Sequence, residues 1–201
     1  FVTLTGQPLV GYSIDGIAFL VDSPERIAAS VAALPALVVA PDVEETGSTL
    51  EENARIKARA LAEAFGILAL ADDTGLEVDA LQGEPGVYSA RYAGEHSSYT
   101  DNVTKLLREL EGSDPTQRTA RFATVAIARA ADGNEVVARG EVEGIIAPTA
   151  RGEDGFGYDP VFVPIDGDGR SFAEMAPDEK HAVSHRGRAF RSLAAAINEE
   201  G

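Results

Sequence analysis

Residues 118–144 read "RTARFATVAIARAADGNEVVARGEVEG". Alternating apolar and polar positions run on both sides of Asp132-Gly133, a dipeptide suited to the positive-φ positions of a tight turn, and the pattern predicts a β-hairpin. Working outward toward the N-terminus, "TDNVTKLLRELEG" (100–112) has the spacing of an amphipathic helix stopped by Gly112. "ILALADDTGLEVDAL" (67–81) reads as a buried strand, a polar turn and a second short apolar stretch. Before it, "GSTLEENARIKARALAEAF" (47–65) predicts a helix, with Ser48 and Glu51, or Thr49 and Glu52, in capping-box spacing. Leu50, Ala54, Leu61 and Phe65 supply its apolar stripe, and Gly66 ends it. Still earlier, "GIAFLVD", "SPERIAASVAAL" and "PALVVAP" (16–41) read as strand, helix and strand, an opening typical of α/β architecture. Beyond the hairpin, a last helix is predicted from about His185 through Ile197, with Ser184 as its cap. No repeat, low-complexity tract or linker interrupts this order, so residues 1–201 are expected to form a single domain.

Composition narrows the function classes. The 201-residue chain is 44% hydrophobic, which suits a globular core, and carries 33 acidic against 17 basic residues for a formal charge of -16. Such a surface repels nucleic acid and anionic membranes, so an anionic ligand requires a local basic pocket or a metal. With no cysteine, disulfides, thiolate nucleophiles and Cys-ligated zinc are excluded. The absence of a long apolar run and of a basic, signal-like start leads us to expect a cytoplasmic protein that binds no membrane.

Three acidic clusters stand at predicted element junctions: Glu44 and Glu45 before a helix, Asp72 and Asp73 after "ILALA", and Asp159 beside Pro160. A tandem carboxylate pair after an apolar run is costly to place unless a cation or hydrogen-bond donors face it. Oxygen-only ligands favour a hard ion, Mg²⁺ with Mn²⁺ as the alternative. Lys57 lies about two turns into the helix that begins near Thr49, so its side chain can point back toward the helix N-terminus. In "EDGFGYDPVFVP" (153–164) small residues flank Phe156, which leaves its ring face accessible to a planar base. "EKHAVSHRGRAF" (179–190) adds Lys180, Ser184, His185 and Arg186 as donors near a helix start. Each has a bland reading, as a solvated charge or turn chemistry, but together they describe a nucleotide pocket. GxxxxGKS/T, GxGxxG after a strand and GxSxG are all missing, and three histidines are too few for a multi-histidine zinc site.

"EETGSTLEENARIKARA", "LADDTGLEVDALQGEPGVYSARYAG", "GFGYDPVFVP", "SFAEM" and "EKHAVSHRGRA" closely resemble the inosine triphosphate pyrophosphatase family, over roughly Glu44 to Leu193. The resemblance implies an elongated α/β fold, a mixed sheet with flanking helices in two lobes around a nucleotide cleft. It also implies Mg²⁺-dependent hydrolysis of dITP, ITP or XTP to the monophosphate and pyrophosphate, by a homodimer. By the same resemblance Asp73 would be the general base and a metal ligand, with Asp72 and Glu45 completing the metal-site carboxylates. Lys57 would contact phosphate and Thr74 would keep a hydroxyl for the substrate. Phe156 would stack on the base, Asp159 would help fix the base or sugar, and Lys180, Ser184, His185 and Arg186 would complete the purine pocket. Side-chain donors favour a 6-oxo purine over adenine, whose 6-amino group is itself a donor.

The N-terminus departs from the family pattern. Family members begin with a strand and a loop resembling ATGNxGK, whereas "FVTLTGQPLVG" (1–11) has no lysine, and "AFLVDSPERIAAS" (18–30) places Asp22, Ser23, Glu25 and Arg26 in the corresponding loop. Acids near a triphosphate oppose binding. A nucleotide-binding paralogue with impaired hydrolysis, or a metal-dependent hydrolase of another phosphorylated small molecule, are therefore the alternative expectations.

Overall fold

The computed structural model describes residues 43–66 and 68–199, with short strands at 13–14 and 17–18. The expected helix "SPERIAASVAAL", the strand "PALVVAP" and the altered loop around Asp22, Ser23, Glu25 and Arg26 lie outside the described residues.

The strands are β1 (Ser13–Ile14), β2 (Ile17–Ala18), β3 (Ala69–Val78), β4 (Pro85–Gly86), β5 (Thr119–Arg129), β6 (Glu135–Ile146) and β7 (Phe162–Pro164). The α-helices are α1 (Leu50–Phe65), α2 (Tyr99–Glu109), α3 (Pro177–Val183) and α4 (His185–Glu199). Strand order is β1-β2-β3-β5-β6-β7, with β4 pairing with β3 off this path. β1–β2, β2–β3, β3–β4 and β6–β7 are antiparallel. The architecture is α/β, as the sequence predicts.

The predicted hairpin is β5 and β6. Its turn closes with the Ala130 amide donating to the Asn134 carbonyl at 2.9 Å, and Gly133 takes φ 96° where a side chain would be strained. β3 corrects the reading of residues 67–81: Ala69–Val78 is one uninterrupted strand, and Asp72 and Asp73 lie within it rather than in a turn. Their polarity imitates a turn, but partners distant in sequence make their burial tolerable. The seven-residue α3 was not expected at all.

The chain divides into two compact units. The first comprises Phe1–Asp73, Val125–Arg139 and Phe190–Gly201; the second comprises Thr74–Thr124 and Gly140–Ala189. In the first, α1 is capped by Thr49, whose side chain accepts from the Glu52 amide, while the Glu52 carboxylate accepts from the Ser48 amide and hydroxyl. Gly66 ends the helix in the left-handed region at φ 64°. The helix buries Leu50, Ala54, Ala58, Leu61 and Ala62, an apolar face interrupted by Asn53. The second unit has the larger apolar cluster, with Leu76, Val78, Leu106, Phe122, Phe162 and Phe172 among its buried members. Gly140 permits a close backbone approach within it: a Cβ there would lie 2.2 Å from the His185 carbonyl oxygen and 2.3 Å from the Ala189 nitrogen. No helix among the described residues is long and apolar enough to cross a membrane.

Candidate active site

In the first unit, one turn of α1, the loop before it and one strand position create a charged cluster. Asn53 and Lys57, four residues apart, share a helix face. The Lys57 ammonium lies 2.8 Å from Glu45 Oε1 and 2.8 Å from Asp73 Oδ1. Asn53 Nδ2 donates to the second Asp73 oxygen at 3.3 Å, and Asn53 Oδ1 accepts from the Gly47 amide at 2.8 Å. Gly47 is required here, because a Cβ would stand 2.6 Å from Asn53 Oδ1. The loop carrying Glu45, the helix carrying Lys57 and the strand carrying Asp73 are thereby tied together. Lys57 does reach back along its helix, and it ends between two carboxylates.

Burial raises the Asp73 carboxyl above the usual range; Lys57 pulls it down, and the neighbouring Glu45 charge pushes it up again. Burial also opposes charge on Lys57, but the Asp73 charge and the hydrogen bonds to Asp73 and Glu45 outweigh it, so the ammonium holds its proton more firmly than an ordinary lysine. A carboxylate with enhanced proton affinity, oriented on both oxygens, is suited to accept a proton from water.

Asp72, next to Asp73 on β3, is buried as well. Glu45 and Asp73 form an all-oxygen donor set, the chemistry of a hard divalent ion that keeps water and phosphate as its other ligands. Among the described residues no group of three His, Cys, Asp or Glu side chains could enclose a metal. The two carboxylates therefore fit an ion bound jointly with substrate and not a closed protein cage.

In the second unit, Asp159 organises the aromatic segment. It is 2% exposed, and its Oδ2 accepts from the Phe156 amide at 2.7 Å and also meets the Lys180 ammonium. Gly155 has to be glycine on two counts: its φ is 81°, and a Cβ would stand 2.2 Å from Asp159 Oδ2. Burial raises the Asp159 carboxyl, with Lys180 and the Phe156 amide pulling the other way. The Asp159 carboxylate thus holds the Phe156 loop and Lys180. The Lys180 ammonium also lies over the Phe156 ring, 4.5 Å from the centroid. The Phe156 ring itself is 53% exposed.

Ser184 caps α4, accepting from the Gly187 amide at 3.1 Å, as predicted. His185 is buried and stacks on Phe122, with centroids 4.5 Å apart and planes at 19°. Burial lowers its pKa to about 3, helped by the Lys180 and Arg186 charges, so the ring is neutral at physiological pH. Its Nδ1 is buried without a hydrogen-bond partner among the described residues, an orphan that calls for a ligand or water. Arg186 is half-buried in the first turn of α4. Thr74 Oγ1 lies 2.6 Å from Thr124 Oγ1, so one of its hydrogen-bonding positions is already occupied.

Asn53, Thr124 and Phe122 escaped the sequence reading. Asn53 left a legible signal, a polar residue on the apolar face of α1; Thr124 and Phe122 left none, since both fit an ordinary strand.

The sequence profile described as the Ham1 family matches residues 19–196. This chain belongs to the Ham1 family. A Ham1-family relative from Elusimicrobium minutum, a dITP/XTP pyrophosphatase, is 54% identical over 77% of this chain and 78% of its own. A dITP/XTP pyrophosphatase from Nitratidesulfovibrio vulgaris is 47% identical over 88% of each chain. The solved Staphylococcus aureus Ham1 protein is 40% identical and superposes with a TM-score of 0.75, covering 90% of this chain and 97% of that one.

Proposed function

We propose that this chain hydrolyses non-standard purine nucleoside triphosphates, dITP and XTP foremost and ITP with them, to the nucleoside monophosphate and pyrophosphate. The observation that carries the reading is the Glu45–Lys57–Asp73 cluster, a buried carboxylate of raised proton affinity paired with a second carboxylate through one ammonium. The relatives named dITP/XTP pyrophosphatase support the substrate class.

In this mechanism Asp73 accepts a proton from the attacking water. The water oxygen bonds to the α-phosphorus, the α–β anhydride bond breaks in line, and pyrophosphate departs with the electron pair. A divalent cation held by Glu45 and Asp73, Mg²⁺ or Mn²⁺, would supply Lewis-acid polarisation and charge neutralisation of the phosphate oxygens. Lys57 keeps the two carboxylates oriented and offers its remaining N–H to phosphate. Thr74 offers the hydrogen-bonding capacity left by Thr124. At the base end Phe156 supplies the stacking face and Lys180, held by Asp159, adds a fixed positive charge. His185 supplies a neutral imidazole, Arg186 a guanidinium, and Ser184 fixes the helix start that carries both. These donors favour a 6-oxo purine over adenine. The protein is further proposed to act as a homodimer in the cytoplasm, where a chain without cysteine loses nothing to reduction.

Two variants test the division of labour. Asp73→Asn is expected to lower kcat by about 100- to 10,000-fold, with the fold intact by circular dichroism. Phe156→Ala is expected to raise KM for dITP by about 5- to 100-fold with a smaller change in kcat. Full turnover by the first variant, or unchanged KM in the second, contradicts these roles.

A further inference from the structure

We propose that Tyr99, the first residue of α2, is a second aromatic contact for the purine base that stacks on Phe156. The inference rests on the reading of the Phe156–Lys180–Asp159 cluster as the base site. The rings of Tyr99 and Phe156 lie 6.5 Å apart, centroid to centroid, with planes inclined at 47°. That is near the outer limit of direct aromatic contact, about 4.5 to 7 Å, so the two rings shield each other little. Tyr99 is 59% exposed and Phe156 53% exposed. Among the described residues the Tyr99 hydroxyl has no hydrogen-bond partner.

The position of Tyr99 is nonetheless fixed. Ser98 and Asp101 form a reciprocal cap at the start of α2, with the Ser98 amide and hydroxyl donating to Asp101 and the Asp101 amide donating to Ser98. One turn on, Asn102 is 1% exposed, accepts from the Ala93 amide at 2.7 Å and donates to the Ala90 carbonyl at 3.0 Å. The helix start is thus anchored on its inner side while presenting a large amphipathic ring on the other. On Phe156, the Lys180 ammonium already covers one face, so a planar base has only the other. The proposal sets the base on that open face, where it would gain apolar area from Tyr99 and the phenol tip would offer a hydrogen bond to a heteroatom of the base or sugar. Tyr99 would then bind the base without touching the reacting phosphorus.

The test is steady-state kinetics of the full chain and its Tyr99→Ala and Tyr99→Phe variants with dITP and Mg²⁺, alongside inhibition by inorganic tripolyphosphate, which has no base. Loss of the ring is expected to raise KM by about 3- to 10-fold with kcat nearly unchanged, and to leave tripolyphosphate inhibition as in the wild type. Tyr99→Phe should recover most of the loss. An active wild type whose Tyr99→Ala variant has the same KM overturns the role of Tyr99 while leaving the proposed function standing. Parallel weakening of dITP and tripolyphosphate overturns it too, since that marks a displaced helix. If the wild type hydrolyses no purine triphosphate, the functional reading falls, and equilibrium binding of dIMP decides the inference: affinity that is undetectable, or equal in wild type and Tyr99→Ala, overturns it.

Discussion

His185 shows what burial does to a group that the sequence presents as a cationic donor. Stacked on Phe122, it has a folded pKa of about 3 against an ordinary 6.5. The folded protein therefore refuses a proton that the unfolded chain accepts between these values, and stability rises with pH across that window. The contribution is complete above about pH 6.5 and declines as pH falls toward 3. At pH 5.5 the loss from this residue is about 1.4 kcal/mol. Asp73 and Asp159, whose carboxyls are raised, contribute with the opposite sign, so the informative quantity is a difference between proteins. Denaturant unfolding of wild type and His185→Gln at pH 7.5 and pH 5.5 should show the wild type gaining about 1.4 kcal/mol more stability over that rise in pH than the variant does. Identical slopes would mean that His185 is protonated in the folded state.

Gly140 on β6 sets how closely α4 can approach, and α4 carries His185 and Arg186. The atoms that an added Cβ would meet are backbone atoms of His185 and Ala189, which cannot rotate aside. Gly140→Ala is therefore expected to cost about 1–3 kcal/mol of stability, lowering Tm by several degrees, and to raise KM by moving His185. A thermal melt and a KM measurement check both; an unchanged Tm would show that the strand and helix can separate without loss. Elements also show what the sequence reveals and what it hides. The β5–β6 hairpin, α1 and α2 were legible because alternation, 3.6-residue spacing and caps are local signals. β3 was broken in two by the local polarity of "DDTG", because the partners that make Asp73 tolerable there, Lys57 and Asn53, sit on a different element. Short α3 carries too few residues for a period to emerge. Within the candidate site, residue types and motif order were readable, but not that Asp159 accepts from the Phe156 amide or that Lys57 sits between Glu45 and Asp73. Those depend on burial and on how separate elements meet.

The whole chain carries a formal charge of -16, and both lysines at the candidate site are already matched by carboxylates, Lys57 by Glu45 and Asp73, Lys180 by Asp159. A triphosphate approaching such a surface is repelled unless its own charge is reduced, which favours a nucleotide arriving with a divalent cation. In the proposed mechanism the carboxylates that repel the free nucleotide would be the groups that hold the complex. The most direct measurement is product analysis of the purified full chain with Mg²⁺ and dITP, XTP or ATP, recording pyrophosphate and orthophosphate separately. The account predicts equal amounts of monophosphate and pyrophosphate from dITP and XTP, with little turnover of ATP. Orthophosphate and a diphosphate as products, or a folded protein that releases nothing from either purine, would contradict it.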